Sequence, residues 1–379
     1  MISWTELLTF DPLYFRSTRY SSFASGPVVV WNATSQCNLD CSHCYFDAVP
    51  ARDPDELSTE EAKGLIEDLA GLRVPALLFS GGEPLLREDI FELALFAKEK
   101  GLKTALSTNG TLIGEETAKK IKEAGFSYVG ISLDGRAEPN DAFRRTKGAF
   151  SKTLEGIKNC KDTGLRTGIR FTLTRFNLAE LPHIFDIARE EDVDRLCIYH
   201  LVYSGRGSSL KDEDVSREKR RQTLDLIWQK TLDFKKDNLK TEVLTVDNHA
   251  DGVWIYLKLK KDDPQRSEIV LDLLTIQGGN GSGAKIACVD NHGRVYPDQF
   301  WRAHPLGNAR QDRFSAIWQN RENGFLNDLR NRRAFLKGRC GRCAHLDICN
   351  GNFRARAESA SGDMWAEDPA CYLTEEEIN

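Results

Sequence analysis

The residues equipped for chemistry in this chain are its cysteines. There are ten, and seven fall into two groups, Cys37/Cys41/Cys44 and Cys340/Cys343/Cys349/Cys371. The first group reads Cys37-Asn-Leu-Asp-Cys41-Ser-His-Cys44, a C-x3-C-x2-C spacing. Three thiolates this close together can each take one iron of a cubane 4Fe–4S cluster, which leaves the remaining iron open to a small ligand. A zinc site would usually want four ligands in pairs. The second group does supply four thiolates, as C-x2-C-x5-C with Cys371 further on. A structural zinc competes there with an iron–sulfur cluster. Disulfides fit poorly, because a chain of this length buries a large core without staples and its N-terminal segment shows no export signal. Cys160 and Cys197 read as core positions. Cys288 reads as a small buried hydrophobe or a spare ligand.

These groups need elements to hold them. The chain has 379 residues, with 52 Lys and Arg against 57 Asp and Glu, a formal net charge of −5. That balance gives no support to nucleic-acid binding. No run reaches the ~20 apolar residues of a membrane span, so neither a nucleic acid nor a membrane is expected as partner, and the expected location is cytoplasmic. Residues 1–26 are an aromatic-rich lead-in. Apolar runs of strand length then recur at 28–34, 76–80, 104–108, 128–133, 169–174 and 195–203, alternating with amphipathic stretches at 59–71, 88–100, 114–125, 149–163 and 179–191. Ser58 followed by Glu61 predicts a capping box for the first helix. Such alternation predicts right-handed βαβ units and an α/β fold with a parallel sheet, either a partial barrel or an open doubly wound sheet.

The first cysteine group directly follows the first strand, at the end where parallel-sheet enzymes place their chemistry. After Tyr203 the alternation is expected to stop. A charged helix follows over 215–236, then a polar stretch at 262–268, a glycine-rich turn at 278–283 and a hairpin over 286–301 that turns at Asn291–Gly293. The Arg- and Cys-rich remainder, 324–379, needs a metal to hold it together.

The cysteine loop resembles that of the radical S-adenosylmethionine (SAM) superfamily. Three further motifs agree in order and context, each at a strand's C-terminal end: Gly81-Gly82-Glu83-Pro84, Ser107-Thr108-Asn109-Gly110 and Ser132-Leu133-Asp134-Gly135. The resemblance implies a partial (β/α)6 barrel with a C-terminal iron–sulfur extension, and SAM bound through the open iron. It places backbone groups of Gly81, Gly82 and Glu83 at the SAM amino group, and Ser107, Asn109 and Asp134 at its ribose and methionine ends. Arg170 is a candidate for the SAM carboxylate, or an ordinary strand-end arginine. A low-potential electron donor of ferredoxin or flavodoxin type is implied as partner. The expected division is a lead-in over 1–26, a barrel core over 27–210, a helical linker closing the barrel over 211–284, and the extension over 285–379.

The four-cysteine group resembles the SPASM/twitch type of extension, which holds auxiliary clusters. Asp298 and Phe353 occupy positions where a two-cluster pattern carries cysteine, so the resemblance implies one auxiliary 4Fe–4S cluster. Longer runs, including 199–207, 245–252 and 297–302, resemble radical SAM enzymes that modify side chains of siroheme-derived iron tetrapyrroles. The implied reaction is removal of acetates from 12,18-didecarboxysiroheme to give iron-coproporphyrin III. The alternative is removal of propionates on the way to haem d1, and a SPASM-type peptide maturase is more distant. A tetrapyrrole with carboxylate arms needs cationic and polar donors around an apolar slot. Tyr203, Arg206, Trp301 (or Phe300) and Arg302 are candidate contacts, and His200 or His249 is a candidate iron ligand or proton donor.

Overall fold

The computed structural model describes residues 1–9 and 26–379, so most of the expected lead-in, 10–25, lies outside the described residues. Eleven strands form one sheet: β1 (Ile2–Ser3), β2 (Val28–Thr34), β3 (Leu77–Gly81), β4 (Thr104–Thr108), β5 (Tyr128–Ser132), β6 (Thr167–Leu173), β7 (Arg195–His200), β8 (Glu242–Val246), β9 (Ile286–Val289), β10 (Arg294–Tyr296) and β11 (Gly307–Asn308). Their order is β1-β8-β7-β6-β5-β4-β3-β2-β9-β10-β11. The run from β8 through β2 to β9 is parallel throughout. The sheet is open, with antiparallel β1 at one edge and the β10–β11 pair at the other.

This order decides between barrel and doubly wound sheet. From β2 to β8 each strand lies beside its predecessor in sequence, with no reversal. Right-handed crossovers, the rule for such units, place the connecting helices on one face. Residues of alternating strand positions sort accordingly. Trp31, Phe79, Leu106, Ile131, Phe171 and Ile198 join helix residues such as Ile66, Leu93, Ile121 and Ile184 in one buried core. The opposite face carries separate small clusters, Val30 with Cys288 and Tyr296, and Cys197 with Leu244 and Val246. That second face is the concave interior. Cys160 lies in the main core as expected, whereas Cys197 faces the interior.

The alternation does not stop after Tyr203. The strand expected to reach residue 203 ends at His200, and Gly205–Glu213 turns as a 3-10 helix over the cysteine loop. A Cβ on Gly205 would lie 2.6 Å from the Cys44 carbonyl oxygen, so only glycine fits this crossing. The helix Arg217–Lys236 then leads into β8, which continues the parallel sheet. β8 is buried along its whole length and so lacks the period-two pattern of a half-exposed strand. The polar stretch 262–268 is largely exposed, as its composition predicts, and forms a helix–helix junction. One helix ends at Asp262, Asp263 caps the next by accepting from the Arg266 N–H at 3.1 Å, and Pro264 takes its first position. The sheet also crosses the divisions expected at 210 and 284, through β8 on β7 and β9 on β2. Both limbs of the Ser58–Glu61 capping box form, and the hairpin pairs Val289 with Val295.

Candidate active site

The cysteine loop leaves β2 at Thr34 and lies over the C-terminal ends of the parallel strands. The Cys37 N–H donates to the Val49 carbonyl at 2.8 Å, closing the loop at its base, and the Ser42 N–H donates to Phe143 at 3.0 Å. Cys37, Cys41 and Cys44 pack together with Leu39, Ala48 and Ala149. Each of the two more buried sulfurs receives donors: Cys37 from the Leu39 N–H at 3.4 Å and Cys41 from Arg144 Nη1 at 3.6 Å. Burial pushes the Cys37 thiol up to about 12, with Glu83, Cys41 and Cys44 adding to the effect. Such thiols become thiolates when a metal supplies the compensating charge. Among the described residues no three His, Cys, Asp or Glu side chains converge on a single-ion site. Cubane ligands bind separate irons and have no need to converge so tightly.

The Gly81-Gly82-Glu83 loop is pressed against that base. A Cβ on Gly81 would lie 2.4 Å from the Thr34 carbonyl oxygen, and one on Gly82 would lie 2.1 Å from that of Gln36. The Gly82 and Glu83 N–H groups donate to these same two carbonyls, each at 2.7 Å. The glycines are therefore required where one backbone segment presses on another, whatever room they also give a ligand. With those N–H groups spent, the loop offers carbonyl oxygens, which suit an ammonium group. The Glu83 side chain is fully buried and accepts from Thr108 Oγ1 at 2.8 Å, the Asn109 N–H at 2.8 Å and the Leu85 N–H at 3.1 Å. It ties the second motif to the third.

Burial pushes the Glu83 carboxyl up to about 7 despite those three donors. A raised carboxyl holds its proton longer in the folded chain than in the unfolded one. Its contribution is fully present below about pH 4.5 and is lost as pH rises toward 7, with an upper size on the order of 3 kcal/mol. Thermal melts of wild type and Glu83→Gln between pH 5 and 8 are expected to differ in slope, wild type losing stability with rising pH more steeply. Parallel curves contradict this.

The remaining residues of the expected SAM set are less free than their types suggest. Ser107 Oγ accepts from Arg170 Nη1. Asn109 holds Asn38 Oδ1 at 2.9 Å and accepts from the Thr111 N–H at 2.9 Å, with its amide 4.0 Å from the Cys37 sulfur. Asp134 is wholly buried, accepts from the Thr172 N–H at 2.9 Å, forms an ion pair with Arg144 and lies 3.5 Å from His43 Nε2. Its carboxylate is engaged as an anchor for Arg144 and His43. Arg170 is no surface residue. It crosses the interior face over Gly130, where a Cβ would lie 2.9 Å from its Cδ, and its Nε reaches Tyr199 Oη at 3.1 Å.

Most side chains expected at the substrate are likewise committed to the protein's own groups. Arg206 donates to the Cys41 and Ala48 carbonyls, both at 2.9 Å, and so clamps the cysteine loop. Arg302 donates to the Phe46 carbonyl at 2.6 Å, Tyr203 to Asp214 at 2.7 Å and Trp301 to Glu358 at 2.5 Å. Phe300 lies edge-on to Tyr45, with ring centroids 5.3 Å apart. His200 Nε2 is 2.8 Å from Asp251, which also accepts from Tyr372. His249 differs: it is buried, burial holds it neutral, and its Nδ1 has no partner among the described residues.

Sequence reasoning missed Arg144, because the helix Ala137–Arg144 that carries it was not read. It also missed the interior group of Tyr45 Oη, Asn32 Oδ1 at 2.8 Å and Ser80 Oγ at 3.1 Å. The alternation of polar Asn32 with buried Trp31 and Ala33 in β2 was the available signal.

The second cysteine group also comes together. Burial raises the Cys349 thiol strongly, with Cys371, Cys340 and Cys343 contributing as near neighbours. Cys343 accepts from the His345 N–H at 3.4 Å and Cys340 from Arg354 Nη2 at 3.7 Å. Cys288 stands apart on the interior face, with Asn32 Nδ2 at 3.5 Å. Asp298 is buried and accepts from Ser282 Oγ at 2.5 Å and the Phe300 N–H at 2.8 Å. No helix among the described residues is long and apolar enough to cross a membrane.

Residues 31–188 match the family model of the Radical SAM superfamily. The chain is 52% identical over 355 residues to Fe-coproporphyrin III synthase of Methanosarcina barkeri, covering 93% of this chain and 89% of that protein. It is 42% identical over 350 residues to pre-heme d1 synthase of Dinoroseobacter shibae, covering 92% and 86% respectively. Among solved structures, native anSMEcpe with bound AdoMet superposes with a TM-score of 0.72 at 20% identity, covering 93% of this chain and 95% of that one, a likeness of fold. Similarity of this extent, in a chain whose three-cysteine loop caps the mouth of an open parallel barrel, makes it a radical SAM enzyme and a member of the Radical SAM superfamily.

Proposed function

We propose that this enzyme removes acetate side chains from 12,18-didecarboxysiroheme to give iron-coproporphyrin III. The observation that carries the reading is the higher identity to the coproporphyrin-forming relative than to the haem d1 relative, sustained across nearly the whole sequence. Cys37, Cys41 and Cys44 would hold the 4Fe–4S cluster, and the Gly81–Gly82 carbonyls, Ser107 and Arg170 would receive the methionine end of SAM. Asn109 would contribute its amide beside Cys37. When bound and reduced, this pair would supply the radical chemistry that opens the substrate to loss of its acetate arms.

The protein's own contribution is to position and to exclude water. Asp134 and Arg206 fix the loop that carries the cysteines, Asp134 through Arg144 and Arg206 through the Cys41 and Ala48 carbonyls. Arg170, half-buried and without a carboxylate partner among the described residues, provides positive charge on the interior face. His249 is the expected substrate contact whose ring remains uncommitted, as iron ligand or proton donor. Cys340, Cys343, Cys349 and Cys371 would hold one auxiliary 4Fe–4S cluster, with all four sites filled by protein. A ferredoxin- or flavodoxin-type donor would supply electrons in the cytoplasm.

An anaerobic absorption titration tests the substrate class. Adding 12,18-didecarboxysiroheme to the reconstituted enzyme is expected to shift the Soret band with saturation. An unshifted band at excess protein contradicts the reading and favours a peptide maturase.

A further inference from the structure

Two arginines stand two residues apart at the start of the helix Arg354–Ser361, and both are fully buried. Their charges are handled differently. Arg356 forms a two-point pair with Asp368, Nε to Oδ1 at 2.8 Å and Nη2 to Oδ2 at 2.9 Å. Arg354 forms no ion pair with a carboxylate among the described residues. Its donors reach the carbonyl oxygens of Met364 at 3.0 Å and Ala366 at 2.5 Å, and the Cys340 sulfur at 3.7 Å, while its Nε has no partner.

A third buried arginine deepens the imbalance. Arg332 donates to the Leu329 and Ser282 carbonyls and to Asn280 Oδ1, again without a carboxylate partner. Burial, with the nearby positive charge of Arg354, pushes it down to about 10. Asp368 and Asp363 lie close enough for the charge of Arg354 to favour their ionised forms, but neither pairs with it directly. A buried cation without a contacting carboxylate is unfavourable, and the one acidic ligand its guanidinium touches is the Cys340 sulfur. The first cysteine loop makes a useful contrast. Arg144 also donates to a cysteine sulfur, Cys41, but its charge is already met by Asp134.

We propose that Arg354 is the counter-ion of the auxiliary cluster and raises its reduction potential. The inference rests on the reading that Cys340, Cys343, Cys349 and Cys371 hold a 4Fe–4S cluster. A cubane bound by four thiolates is anionic and becomes more so on accepting one electron, with no bond made or broken. A fixed positive charge and an N–H···S contact at Cys340 favour the reduced form more than the oxidised one. Arg354 is thus a positioning residue that acts on the cluster through its ligand.

The test is a redox titration of the reconstituted enzyme with dithionite, followed by electron paramagnetic resonance. The SAM-binding cluster is the signal that changes when SAM is added. In Arg354→Gln the other signal is expected to need a lower potential. At fixed potential its reduced-to-oxidised ratio should fall at least tenfold, about 59 mV for a one-electron couple, while the SAM-responsive signal stays in place. Arg354→Lys keeps the charge and loses the planar fork, so it should shift in the same direction by less. It also serves if the Gln variant fails to fold. An unmoved auxiliary signal in a fully loaded variant overturns the proposal, as does an equal shift of both signals. A single signal, with zinc bound to the wild type, overturns the auxiliary-cluster reading itself.

Discussion

Gly82→Ala is expected to abolish 5′-deoxyadenosine formation, by a factor of at least ~100. The added Cβ would stand 2.1 Å from the Gln36 carbonyl oxygen, 2.6 Å from its carbon and 2.8 Å from the Ser35 carbonyl oxygen. All three are backbone atoms of the segment that delivers Cys37, so relief requires moving the cysteine loop or the glycine loop. The two N–H···O bonds that join those loops, from Gly82 to Thr34 and from Glu83 to Gln36, would be lost in either case. Overpacking of this kind costs about 1–3 kcal/mol, and displacing reacting groups by ~1 Å can slow chemistry ~100-fold. Iron analysis and chromatographic detection of 5′-deoxyadenosine under anaerobic turnover check the prediction. Gly64→Ala is the control, because its Cβ meets nothing within 4 Å on the helix Thr59–Gly71. That substitution should leave activity unchanged and add ~0.5–1 kcal/mol of stability. Wild-type activity in Gly82→Ala would show that the two loops are not mutually held.

Asp368→Ala is expected to destabilise the fold by ~3–5 kcal/mol, the usual consequence of removing one partner from a buried ion pair. Arg356 and Asp368 have fully buried side chains. Asp368 also accepts from the Phe353 N–H at 2.8 Å and the Ala370 N–H at 2.9 Å, close to Cys349 and Cys371. Arg356 in turn donates to the Leu201 carbonyl at 3.0 Å and the Asp247 carbonyl at 2.9 Å, just beyond β7 and β8. One pair therefore secures the extension to the mouth of the barrel. Urea unfolding should show a lower midpoint, and limited proteolysis should release the extension before the barrel. Asp368→Asn retains acceptor capacity and should lose less. A midpoint equal to wild type for Asp368→Ala would mean that the pair holds nothing.

How much of this was legible in the sequence depended on whether chemistry or packing chose the residue. Cys37, Cys41 and Cys44 were legible because few jobs need three thiols at that spacing. The glycine loop was legible as a motif, but its reason was not: the atoms that exclude a Cβ belong to Thr34 and Gln36, remote in sequence from Gly81 and Gly82. The strands from β2 to β6 were readable because an amphipathic helix follows each before the next strand, and β7 because its own apolar run has strand length. β8 was missed because its residues are buried on both faces and its preceding helix is long and highly charged.

The polar residues near the mouth were the hardest. Arg206, Tyr203 and Arg302 have the donors a carboxylate-bearing substrate needs, and a backbone carbonyl or a buried aspartate needs the same donors. Residue type cannot separate those uses; only the partner can. Asp134 shows the same ambiguity, since its partner Arg144 sits on a helix whose pattern is too short to announce itself. His249 was one of several equivalent candidates in sequence and becomes distinct through its lack of a partner.

The measurement that bears most directly on the function is an anaerobic turnover of the reconstituted enzyme with SAM, dithionite and 12,18-didecarboxysiroheme, analysed by mass spectrometry. The expected result is iron-coproporphyrin III formed together with 5′-deoxyadenosine. A product that keeps its acetates and lacks propionates would assign the protein to haem d1 synthesis instead. 5′-Deoxyadenosine formed beside an unaltered tetrapyrrole would contradict the proposed substrate.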